Sequence, residues 1–219
     1  MSISFIRRAP EELKNIGIAG FQRPAPLLSR IFFWLGNLRC LQFVWRLRIC
    51  IGRPMDCIAN TSPLIAFSSA GCLEILRSVS PQVWVPREVF DEIVTRGDGW
   101  NEAIQAQQEL IRGSWIRCVE VADSLRLREL RNRLGGSGEA EAITLAAERG
   151  LPVLLDELAG RRAASALGLK VIGSLGILRV AKSAGTIHSV RPVVMRMIEC
   201  GIYFGDELIA QFLREVGEM

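Results

Sequence analysis

From Met55 onward the chain alternates short apolar runs with stretches of helical spacing. The first run, Met55-Asp56-Cys57-Ile58-Ala59-Asn60, ends in the polar turn Asn60-Thr61-Ser62-Pro63. Leu64, Phe67 and Ile75 then recur at helical intervals, with a break at Gly71. Val83-Trp84-Val85 reads as a second strand, and Pro86 behind it suits a helix start. That helix takes its apolar face from Val89, Phe90, Ile93 and Val94. Trp100–Ile111 reads as a helix ended by Gly113, Trp115–Val121 as a strand, and Ser124–Leu134 as a basic helix. Gly135-Gly136-Ser137-Gly138 has the composition of a flexible joint, and no Lys-Ser/Thr follows to make it a phosphate loop. A helix over Glu139–Arg149 is stopped by Gly150. Val153–Leu155 and Val171-Ile172 read as strands around a helix from Leu158 to Leu167, and three more helices run from Leu175, Val190 and Asp206.

Short apolar strands separated by helices predict an α/β fold whose parallel sheet is covered on both faces. In such sheets ligands sit outside the carboxyl ends of the strands. The residues just after each strand are therefore the ones to inspect for chemistry.

Residues 1–54 do not share this pattern. Leu27–Ile51 is apolar but holds Arg30, Arg39, Arg46 and Arg48. A central Arg costs roughly 2.5–3.5 kcal/mol in a membrane, which argues against a span. The mixture of aromatic residues and Arg suits an amphipathic helix on a membrane surface or a partner. The other reading makes residues 1–54 an extension from a start placed too early. The division expected is an N-terminal extension, 1–54, and a domain, 55–219.

Charge follows the same division. The net +4 of the 219 residues combines nine Lys/Arg against two Glu in 1–54 with 18 Lys/Arg against 21 Asp/Glu in 55–219. The domain alone is acidic, so the basic overall charge is no argument for a nucleic-acid surface on it. Six cysteines with no C-x-x-C pair and the lone His188 leave little for a Cys/His zinc site. They read as reduced core residues of a cytoplasmic protein.

Several acidic or polar residues fall near the expected carboxyl ends. Asn60 follows the first strand, Glu92 lies on the helix after the second, Glu139 and Glu141 open the helix after the glycine run, and Asp156 ends the strand Val153–Leu155. Gathered carboxylates repel one another unless a cation intervenes. Mg²⁺ prefers such oxygen ligands, and a bound divalent ion suits phosphodiester hydrolysis. Each residue also has a plainer reading. Asp156 can cap the helix that follows it. Glu92 and Glu157 can be solvated. Glu139 and Glu141 stand roughly 200° apart on their helix, so one can face a site while the other does not. Arg161 and Arg162 can meet phosphates or lie on a solvated face.

Taken in order, these segments resemble PIN-domain proteins. Cys57-Ile58-Ala59-Asn60-Thr61-Ser62-Pro63-Leu64-Ile65-Ala66 is similar to the opening of a prokaryotic PIN-like group. Val85-Pro86-Arg87-Glu88-Val89-Phe90-Asp91-Glu92-Ile93, Gly138-Glu139-Ala140-Glu141-Ala142-Ile143 and Leu154-Leu155-Asp156-Glu157 follow in matching order. Gly160 through Leu178 also fits. The resemblance implies a three-layer α/β/α fold over about 55–215 and a Mg²⁺- or Mn²⁺-dependent ribonuclease. It further implies relatedness to VapC-type toxins, with a small antitoxin protein as partner and a homodimer as the assembly. By resemblance the catalytic and metal-binding acids are Glu92, Glu141 (with Glu139 as the fallback) and Asp156. Asn60 stands where the family usually has Asp, and brings an oxygen without a charge. Thr61 resembles the hydroxyl residue that orients the first acid. A catalytically silent module that binds RNA or protein is the alternative.

Overall fold

The computed structural model describes residues 54–95 and 104–219. The readings made for residues 1–53, including Cys40 and Cys50, and for the start of the helix expected at Trp100 lie outside the described residues.

Among the described residues, five parallel strands form one sheet: β1 (Cys57–Ala59), β2 (Val83–Pro86), β3 (Ile116–Val119), β4 (Val153–Leu154) and β5 (Val171–Ile172). Their order is β3-β2-β1-β4-β5. The chain steps outward from β1 to β3, then returns to the other side of β1 to lay down β4 and β5. The order therefore reverses between β1 and β4, and a crevice opens there at the carboxyl ends.

Alternation along the strands splits the core in two. Cys57, Ala59, Val83, Val85 and Leu154 face one buried cluster, with Leu64, Phe67, Ile177, Met197 and Phe212. Ile58, Val153 and Leu155 face the other, with Leu127, Ile143, Ala146 and Ala164. The first cluster is roofed by α1 (Thr61–Ser69), α2 (Leu73–Val79), α4 (Ile104–Arg112), α8 (Ser174–Ser183), α9 (Arg191–Glu199) and α10 (Asp206–Glu215). The second is roofed by α5 (Leu125–Leu134), α6 (Ser137–Arg149) and α7 (Leu158–Ala166). This is the three-layer α/β/α arrangement. Among the described residues no helix is long and apolar enough to cross a membrane. Cys57 and Cys72 are buried free thiols pushed up to about 11, burial being the main cause.

The break expected at Gly71 separates α1 from α2, the chain turning there at φ +62°. Two local features depart from the sequence reading. The helix after β2 is α3 (Arg87–Phe90), which continues as a π-helical turn over Asp91–Thr95. The glycine run is not a flexible joint. Gly135 ends α5 in the left-handed region at φ 70°, Gly136 precedes α6, and Gly138 is buried inside α6.

Candidate metal centre at the carboxyl edge

Asn60 enters the site straight from the central strand. Its N–H donates to Leu154 O at 3.2 Å, which fixes it between β1 and β4. It occupies the N-cap position of α1, a favoured place for Asn, yet its side chain makes no capping bond. The residue is 5% exposed, and Oδ1 has no hydrogen-bond partner.

Glu92 reaches the same place from the π turn. A π turn shifts everything after it around the helix axis, and such turns recur at functional sites. Thr61 Oγ1 donates to Glu92 Oε2, so α1 and the π turn are tied at the residue after Asn60. Gly138 shows how close the groups are. A Cβ there would lie 2.9 Å from Glu92 Oε1 and 3.3 Å from Asn60 Oδ1. Only a residue without a side chain leaves those oxygens where they are.

The next residue, Glu139, points toward α7. A Cβ on Gly160 would meet its Oε1 at 2.5 Å. That oxygen is buried and has no partner. Burial first, then the charges of Glu157 and Glu92, raise the Glu139 pKa above the ordinary carboxylate value. Glu157, exposed at the N-cap of α7, accepts from Ser62 Oγ. Helices α1, α6 and α7 and the π turn thus bring Asn60, Glu92, Glu139 and Glu157 to one edge.

Asp156 follows β4 at the same edge. It does not cap α7, the helix directly after it. Oδ1 accepts from the Ser174 N–H at 2.7 Å and Oδ2 from Ser174 Oγ at 2.6 Å, so it holds the start of α8 instead. Burial raises its pKa, and the two bonds from Ser174 work against that rise. A Cβ on Gly173 would lie 2.5 Å from Arg161 Nη1 and 3.0 Å from Asp156 Oδ1. Arg161 Nη1 donates to Leu155 O at 3.1 Å, leaving its cationic head beside Asp156. Arg162 lies exposed on α7.

Glu141 is placed elsewhere. It is 6% exposed, accepts from the Glu88 N–H at 3.1 Å, and pairs with Arg131 at 2.7 Å. Its oxygens are spent on α3 and α5. The spacing of about 200° between Glu139 and Glu141 separates them as helical geometry requires, and it is Glu139 that stands with Glu92.

Among the described residues no three Asp, Glu, His or Cys side chains converge tightly enough to form a metal-binding group. Glu92, Glu157 and Asp156 are each turned to a neighbouring hydroxyl or amide. The donor set nevertheless suits a hard cation: two buried oxygens without partners, Asn60 Oδ1 and Glu139 Oε1, flanked by acids. The three glycines that make room for these groups were not picked out from sequence. The available signal was Gly160, inside a helix where glycine is disfavoured and no unusual φ calls for it.

A family model described as a PIN domain matches residues 56–218. The chain belongs to the PIN-domain family. No curated protein matches it. PIN-domain proteins are usually nucleases that use divalent metal ions, and the acidic edge lies at the strand-order reversal where an α/β sheet holds its ligand. The matched span leaves out residues 1–55.

Proposed function

We propose that this PIN domain is a metal-dependent nuclease that hydrolyses RNA phosphodiester bonds at the edge formed by Asn60, Glu92, Glu139 and Asp156. The observation that carries the reading is the pair of buried, unpartnered oxygens, Asn60 Oδ1 and Glu139 Oε1, facing the same acidic edge. An unmet buried acceptor costs about 1–3 kcal/mol, a cost a cation offsets. Asn60, Glu92, Glu139 and Asp156 would hold Mg²⁺ or Mn²⁺. When bound, such an ion activates water and stabilises charge on a phosphoryl group.

The protein's own groups prepare the site. Thr61 orients Glu92, and Ser174 orients Asp156 through both of its oxygens. Glu139 Oε1 is a buried carboxylate oxygen without a partner. Arg161 sets a positive charge beside Asp156, where a phosphate would otherwise meet only acids. The test is cleavage of labelled RNA by the purified full chain with Mn²⁺ or Mg²⁺. Cleavage that stops with EDTA and with Asp156→Asn supports the reading.

Asn60 also favours a second reading. It supplies one negative charge fewer than an Asp, so the domain can bind RNA or a protein without cutting. Binding that ignores EDTA, with no cleavage under any metal, selects that reading. If the nuclease is the toxin of a toxin–antitoxin pair, its growth arrest on expression is relieved by a small protein encoded beside it.

A further inference from the structure

The Glu141 carboxylate bridges two helices of the acidic edge. It belongs to α6, two residues beyond Glu139. Its Oε2 accepts from the Glu88 N–H at 3.1 Å. Glu88 lies in the first turn of α3, one helical turn before Glu92. The first N–H groups of a helix have no partner within it. Pro86, at the N-cap of α3, supplies no side-chain bond. Glu141 meets that need from a different helix. Its other oxygen takes a 2.7 Å bond from Arg131 Nη2 on α5. The carboxylate is buried, and the partner of opposite charge holds it in place.

We propose that Glu141 and Arg131 are positioning residues for the acidic edge: they lock the segment bearing Glu92 to the helix bearing Glu139. Two features of the site call for such a lock. Gly138 lets Glu92 and Asn60 pack directly against α6, where a Cβ would lie 2.9 Å from Glu92 Oε1 and 3.3 Å from Asn60 Oδ1. The π turn that presents Glu92 is an uncommon geometry, of a kind that recurs at functional sites. Without the tie, α3 and its π turn can slide along α6, and the spacing of Glu92 and Glu139 is lost. The proposal rests on the metal-centre reading for its consequence, and on hydrogen bonds alone for its geometry.

The test uses the full chain with Glu141→Ala, Glu141→Gln, Arg131→Met and Arg131→Lys. Amide hydrogen exchange is read by mass spectrometry and Mn²⁺ affinity by calorimetry. For Glu141→Ala the expected result is faster exchange confined to residues 87–95 and Mn²⁺ affinity down about tenfold to a hundredfold. RNA cleavage falls in kcat with KM unchanged. Glu141→Gln keeps an oxygen for the Glu88 N–H and recovers part of the loss, as does Arg131→Lys against Arg131→Met. Exchange that rises evenly over the domain, or Mn²⁺ affinity and local exchange both unchanged in Glu141→Ala, overturns the proposal. If the wild type binds Mn²⁺ but cuts no RNA, the nuclease reading fails while affinity and exchange still decide the lock. If it binds no Mn²⁺, the exchange pattern alone decides it. A Glu141→Ala protein that does not fold shifts the decision to the Arg131 pair and Glu141→Gln, read the same way.

Discussion

Two acidic corners of this domain use the same side chain in opposite ways. At the C-terminus, Glu218 is saturated. Its oxygens accept from Lys182 Nζ, Ser189 Oγ, and the N–H groups of Val190 and Arg191, the latter two at 2.8 Å. Burial works to raise its pKa, but these donors pull it down to about 2. The carboxylate clamps the tail to the start of α9, where an anion is favoured. At the sheet edge, Glu139 has a buried oxygen with no partner and like charges for neighbours, and its pKa moves up. The contrast shows what a half-buried acid is for. One that collects every available donor is structural. One left short of donors beside other acids is arranged for something the chain itself does not supply.

The largest expected effect comes from removing the space around the unsatisfied corner. Gly160→Ala drives Glu139 aside, since a Cβ there would sit 2.5 Å from its Oε1. Mn²⁺ affinity is expected to fall by about a hundredfold. The same change adds a better helix former inside α7, worth about 0.5–1 kcal/mol. Loss of metal binding without loss of thermal stability is the outcome that separates site from scaffold. Equal losses of both would show Gly160 to be only a packing residue.

Metal itself comes next. Mn²⁺ at about 100 times its Kd should stabilise the full chain by about 2.7 kcal/mol. Glu92→Gln is expected to erase most of that gain, whereas Glu218→Gln is expected to leave it intact. A melting curve that ignores Mn²⁺ would remove the basis for treating the two corners differently.

Asn60→Asp sharpens the comparison by adding a charge to the corner already short of donors. Affinity for Mg²⁺ should rise by about tenfold, because a formal charge replaces a dipole. The metal-free protein should melt at lower temperature, because a buried carboxylate joins the half-buried Glu92 and Glu139. Calorimetry and melting in EDTA read the two halves of this expectation. An unchanged affinity would place Asn60 outside the cation's reach.

The smallest effect belongs to Glu218. Its pKa is depressed from 4.5 to about 2, so the folded state binds protons less readily than the unfolded chain. Its stabilisation is complete above about 4.5 and is lost as the pH falls toward about 2. The melting temperature of Glu218→Gln should lie modestly below wild type at neutral pH and approach it under acid. A gap that stays constant between neutral pH and the acid limit would mean that the charge plays no part.

The sequence alone determined the architecture. Strand and helix periods differ, and the short apolar runs from Cys57 to Ile172 could only be buried on both faces, which demands a parallel sheet under two helical layers. It also placed Asn60, Glu92, Glu141 with Glu139 as the fallback, and Asp156 near the carboxyl ends of strands, where such a sheet keeps its ligands. Tertiary structure decided which oxygens remain available. Glu139 and Glu141 are equivalent as letters two apart on a helix; only the position of Arg131 and of the Glu88 amide commits Glu141 to holding α3. Asp156 reads as a cap for the helix beside it, and only the packing of α8 shows that Ser174 is its partner. Gly138 reads as part of a linker because composition reports chain flexibility, not the approach of Glu92 from a helix 46 residues earlier in the chain. Local pattern sets what each segment becomes, since it depends on neighbours in sequence. Hydrogen-bond satisfaction depends on neighbours in space, and those exist only once the layers have packed.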